Sequence, residues 1–120
     1  MSWIAQTFEE FGRGIGLPGL EPAAGRLSLS LGTQRRLDFH VLEDAVLMLL
    51  IRPLGADRLP AMCRALDACH LRHGWALPVR AGLSRAGELA FITRLPVTQF
   101  RPDTVEQALD LLSRLHERVG

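Results

Sequence analysis

The run Ala45 to Ile51 reads Ala-Val-Leu-Met-Leu-Leu-Ile, with Glu43-Asp44 before it and Arg52, Pro53 and Gly55 after it. This segment constrains the fold more than any other. Its length and its punctuation predict a strand over residues 45–52. In a strand, Val46, Met48 and Leu50 face one side while Leu47, Leu49 and Ile51 face the other. Both faces are therefore apolar. A small two-layer antiparallel domain usually has one dry face and one wet face. A strand that is apolar on both sides needs cover on both sides. Either the chain's own helices divide themselves between the two faces, or a second polypeptide hides what they leave bare.

The rest of the chain supplies the neighbours of that strand. Leu27, Leu29 and Leu31 alternate with Ser28 and Ser30, and Leu37, Phe39 and Val41 alternate with Arg36, Asp38 and His40. Each pattern predicts a half-buried strand. The short links between these strands and the third imply an antiparallel meander. Residues 75–83 and 88–95 read as a further hairpin turning through Ser84 to Gly87, with Pro78 placing the first of the two at an edge or a bulge.

Three segments carry helical periodicity. Residues 2–15 place Ile4, Phe8, Phe11 and Ile15 on one stripe, with Ser2 as a plausible cap and Pro18 beyond the end. A loop of Pro and Gly follows over 17–25. Residues 57–72 place Leu59, Met62, Cys63, Leu66 and Cys69 or His70 on a stripe, with Asp57 as cap and Gly74 as stop. Residues 104–118 place Val105, Leu109, Leu112 and Leu115 together, and Asp103 with Glu106 or Thr104 with Gln107 can form a capping box. The expected fold class is α+β, in the order α-β-β-β-α-β-β-α, as a single domain over residues 1–120.

Composition excludes several functions. The formal charge is +1, from 14 basic and 13 acidic residues, so no strong pull toward nucleic acid or an anionic membrane is expected. Every basic residue is Arg. Without Lys there is no P-loop lysine, Schiff-base lysine or Ser–Lys dyad. Cys63 and Cys69 lie about 9 Å apart along the axis of one predicted helix, too far for a disulfide, and two free thiols fit a reducing compartment. No signal peptide and no membrane span is read. Asp67, Cys69, His70 and His73 gather near one another, but no second ligand pair with zinc spacing accompanies them. Gly12 to Gly16 follows a helix instead of a strand, the wrong context for a phosphate loop. His40 reads as an exposed or partly satisfied strand histidine. His116 falls near a helix C-terminus, where positive charge is favourable. No nucleophile elbow accompanies the serines and histidines. Catalysis, metal and cofactor are not expected.

The order of elements resembles the class I type III secretion chaperones of Gram-negative bacteria, the CesT/SycE-like family, over nearly the whole chain. The carrying segments are FGRGIGLPGL, RLSLSLG, RRLDFHVLED, AVLMLLIRPLG, DRLPAMCRALDACH, GELAFITRLPVTQF and TVEQALDLLSRLHERVG. The chain departs from that family's usual acidity, with a pI near 7.9. The resemblance implies a cytoplasmic homodimer, without cofactor, that binds the N-terminal segment of a secreted effector and keeps it soluble and export-competent. The alternative is a dimeric adaptor of the same fold that sequesters a regulatory protein. Carried onto this sequence, the resemblance places the dimer interface at Leu59, Met62, Leu66, Trp75, Leu77 and Val79. It places the client groove at Trp3, Phe8, Phe11, Leu29, Leu31, Leu37 and Phe39.

Overall fold

A computed structural model of the chain describes residues 3–55, 58–70 and 74–120. Three helices and five strands follow the expected order. These are α1 (Trp3–Gly14), β1 (Arg26–Leu31), β2 (Arg35–Val41), β3 (Ala45–Pro53), α2 (Arg58–Ala68), β4 (Val79–Leu83), β5 (Glu88–Pro96) and α3 (Pro102–Val119), with a 3₁₀ turn over Val97–Gln99 between β5 and α3. Ser2, Asp57 and His73, which the sequence suggested as caps and a candidate ligand, lie outside the described residues.

The strands form one antiparallel sheet in the order β1-β2-β3-β5-β4. β3 sits at its centre, as its two apolar faces require. Register sorts every side chain. One face carries Leu29–Leu37–Leu50–Phe91 in one row and Leu27–Phe39–Met48–Thr93 in the next. The other carries Ser28–Asp38–Leu49–Ile92–Arg80, flanked by the rows through His40–Leu47–Arg94 and Arg36–Ile51–Ala90.

The first of these faces is the core side. α1 brings Phe8 and Phe11 onto Phe39, with ring centroids 5.1 and 5.9 Å away, and Phe100 closes the cluster 5.0 Å from Phe8. Edge-on and tilted packing of this kind adds about 0.5–1.5 kcal/mol per pair beyond area burial. α3 lays Val105, Ala108, Leu112, Leu115 and Val119 over the sheet. α2 docks beside α3 and β4.

Two helix ends differ from the sequence reading. α3 begins two residues early: Arg101 is its N-cap, with no side-chain cap bond, and Pro102 opens the helix. Neither proposed capping box forms. A proline at the first helical position satisfies the terminus differently, since the N–H it lacks would have had no partner. Trp75 to Pro78, expected as strand, precede β4 instead. Trp75 is tied to α2 through Nε1–H donating to the Ala68 carbonyl at 2.6 Å, and the Pro78 carbonyl accepts from the Thr93 hydroxyl at 2.7 Å.

Candidate functional site

α2 is inside out. Its buried positions are Ala61, Ala65 and Ala68, spaced i, i+4, i+7. The small side chains let the helix approach α3 closely. The large apolar side chains lie on the opposite face, where Leu59 is 75% and Leu66 57% exposed, with Cys63 exposed and Met62 half-buried beside them. Helical spacing groups these four on one stripe. Trp75, Leu77 and Val79 continue as half-buried positions against the core. Of the six side chains assigned to a dimer interface, Leu59 and Leu66 are among the most exposed large apolar groups of the described residues, whereas Met62, Trp75, Leu77 and Val79 pack partly against the core.

The outer face of the sheet is the second uncovered surface. Leu47, Leu49 and Ile92 are half-buried there, and none of the three packs into the core cluster. Charged side chains frame them. Arg36 reaches Asp38 at 3.2 Å and Glu88 at 3.4 Å, and Ser28 donates to Asp38 at 2.6 Å. Arg36 and Glu88 come from β2 and β5, so their contact crosses β3 over Ile51, which is only 7% exposed. At one end of the strip Arg94 pairs with Asp44 at 2.8 Å. The surface is an apolar strip with a polar rim, the anatomy of a protein interface.

The residues assigned to a client groove separate into two groups. Phe8, Phe11, Leu29, Leu37 and Phe39 are interior, with Phe8, Leu37 and Phe39 fully buried. This corrects the expectation that they line an open groove: α1, α3 and the sheet already cover them. Trp3 is 53% exposed and Leu31 is half-buried. Sequence reasoning did not select Leu47, Leu49 and Ile92 as site residues. The signal that could have found them was the opening one, a central strand apolar on both faces.

Among the described residues no group of three or more His, Cys, Asp or Glu is placed to hold a metal ion. Burial raises the Cys69 thiol pKa, the opposite of what a nucleophile needs. His116 is buried, not exposed at a helix end. Its Nδ1 accepts from Arg52 Nε at 3.0 Å, and its Nε2–H donates to the Leu50 carbonyl at 2.7 Å. Burial, followed by the charges of Arg52 and Arg35, outweighs the carbonyl bond and lowers its pKa to about 4, so the ring is neutral near pH 7. It serves as an interior tie between α3 and β3. Among the described residues no helix is long and apolar enough to cross a membrane.

Known proteins share this architecture. The fold of this chain overlays the ExsC–ExsE complex structure with TM-score 0.77 at 22% identity, covering 96% of this chain and 89% of that one. It overlays a structure of the Pseudomonas aeruginosa ExoU–SpcU complex with TM-score 0.69 at 19% identity, covering 92% and 93%. These likenesses establish the fold. Relationship comes from sequence: residues 3–120 match the family model described as type III secretory system chaperone SycN. The chaperone protein SycN of Yersinia pseudotuberculosis is 27% identical over 120 residues, covering 99% of this chain and 98% of its own. The chain belongs to the SycN family of type III secretion chaperones. That is a family of chaperones and not of enzymes, in keeping with a surface built for contact.

Proposed function

We propose that the chain acts in the cytoplasm as a homodimer that holds the N-terminal segment of a secreted effector in extended, non-globular form. One observation carries the reading of client binding. All the covering helices pack to one side of the sheet, and the apolar strip of Leu47, Leu49 and Ile92 is left to a partner. An extended segment laid over that strip would exchange water for apolar contact at roughly 25 cal/mol per Å², while the rim of Arg36, Asp38 and Arg94 gives it register. Leu31 points to the core side of the edge strand β1 and Trp3 stands on α1, so neither belongs to this strip. Strand addition along the free edge of β1 suits such a client, since it supplies backbone partners without demanding a sequence. The second copy docks on the α2 stripe of Leu59, Met62 and Leu66, with Trp75, Leu77 and Val79 beside it.

Co-expression with the N-terminal segment of an effector from the same genome tests this. A complex that survives gel filtration is expected. Effector segments that pass through the column as free peptides, with the chaperone folded and dimeric, would overturn it.

A further inference from the structure

A cleft of about 620 Å³ opens between α1 and the start of α3, lined among others by Trp3, Gln6, Glu10, Thr98, Arg101 and Asp103. It lies away from both the outer sheet face and the α2 stripe. Two features set it apart. The first is the indole of Trp3, half open to solvent yet fixed, because its Nε1–H donates to the Val97 carbonyl at 3.0 Å. An aromatic ring already held in place loses little rotamer freedom on binding. The neighbouring turn is fixed as well, since the Thr7 hydroxyl donates to the Phe100 carbonyl at 2.9 Å.

The second feature is charge. Trp3, Gln6 and Glu10 fall at i, i+3 and i+7 on α1, so one helix stripe forms a wall of the cleft. Gln6 donates to the Glu10 carboxylate at 3.2 Å and steadies it. Asp103 in the first turn of α3 lines the cleft too, and neither Glu10 nor Asp103 forms an ion pair among the described residues. Two carboxylates thus stand against the one guanidinium of Arg101, and the cleft carries net negative charge beside an open indole. An anionic or purely aliphatic guest is disfavoured there. A planar cation suits it, because it can stack on the indole while donating to carboxylates at its edge.

We infer that this cleft receives an arginine side chain carried by the client segment, stacked on Trp3 and paired with Glu10 and Asp103. The inference rests on the reading of the chain as a client-binding chaperone, and it adds a charge requirement that the apolar strip does not impose.

Nuclear magnetic resonance tests it with defined probes. The chain has two indole resonances, from Trp3 and Trp75, and Trp3→Phe assigns the first. The probes are acetyl-Ser-Leu-Arg-Leu-Ser-amide and its twin with citrulline, which keeps the shape of arginine and removes the charge. The arginine peptide is expected to shift the Trp3 indole saturably, with the citrulline twin weaker by about fivefold or more. Glu10→Gln with Asp103→Asn should remove that difference. Both positions are at the surface, and a circular dichroism melt checks the fold. Equal response to the two peptides, no response, or an unchanged preference in the double variant overturns the inference. The client-segment complex separates the two readings. If the double variant binds the segment as tightly as the parent, the arginine cleft is wrong and the chaperone reading stands. If the parent fails to bind it, the chaperone reading itself falls.

Discussion

Arg52 on β3 donates through Nε to Nδ1 of His116 on α3 at 3.0 Å, and through Nη2 to the His116 carbonyl at 3.3 Å, so one guanidinium satisfies both the ring and the backbone of a buried residue. The geometry requires a neutral imidazole with its proton on Nε2. Protonation would turn the Nδ1 acceptor into a donor facing a cation. The pKa of His116 is lowered from 6.5 to about 4 in the fold. A depressed folded pKa means that the unfolded chain takes the proton first. The stability involved is fully present above about pH 6.5 and is lost as pH falls toward 4. The whole shift corresponds to about 3 kcal/mol at most. Thermal melts between pH 7.5 and 4.5 should show a steeper loss for the parent than for His116→Gln. Parallel curves would show that this histidine does not govern the acid limb.

The α2 stripe gives a sharper test of assembly. Leu66 is exposed on the isolated chain, so Leu66→Asp should leave the fold intact while abolishing dimerisation. Light scattering is expected to fall to the monomer mass of 13.3 kDa with an unchanged far-ultraviolet spectrum. The neighbouring Ala65→Leu should behave oppositely. It adds bulk to a fully buried contact with the core and should cost about 1–3 kcal/mol in urea unfolding. A Leu66→Asp protein that remained a dimer would remove α2 from the interface.

Leu49→Ser and Ile92→Ser remove side chains paired across the middle of the outer strip. Both are half-buried, so the stability cost should stay near 1 kcal/mol each, while affinity for an effector segment drops by tenfold or more in the double variant. Calorimetry with the co-expressed segment measures it. Undiminished binding would place the client elsewhere.

Much of the fold was readable because periodicity reports which residues share a face. The alternation in β1 and β2, the two-faced run of β3 and the stripe of α3 all translate directly into register and burial. Which face is covered by the chain itself is a different question, and periodicity does not answer it. The family resemblance carried Phe8, Phe11 and Phe39 into a client groove, yet they meet one another and Phe100 in the interior. On α2 the leucine stripe drew attention, while the alanines at 61, 65 and 68 marked the side that packs. His116 could not be placed because its partners, Arg52 and Leu50, lie on a strand far away in sequence.

Phe39 separates core from site most cleanly. It touches three other phenylalanine rings and is fully buried. Phe39→Ala should therefore cost about 3–5 kcal/mol of folding stability, seen as a lower urea midpoint. Its effect on client affinity should vanish once measured on the folded fraction. Loss of affinity with undiminished stability would return Phe39 to the surface.

Gly12 offers a reversal of the usual helix rule. Replacing a glycine in a helix interior with alanine normally stabilises by about 0.5–1 kcal/mol. Here the α1 backbone at Gly12 is pressed against the chain that follows it: Leu17 N–H donates to the Gly12 carbonyl at 2.7 Å. An added Cβ would collide with the Leu17 carbonyl oxygen and stand 2.8 Å from Leu20 Cγ. The obstructing oxygen belongs to the backbone, so rotamer changes cannot relieve it. Gly12→Ala should destabilise the protein, whereas Gly14→Ala, two residues on and meeting only Glu106 Oε1 at an ordinary contact distance of 4.0 Å, should be neutral or mildly stabilising. Melting temperatures of the two variants, taken side by side, decide it; a Gly12→Ala protein as stable as the parent would mean that the exit from α1 does not pack as closely as these contacts require.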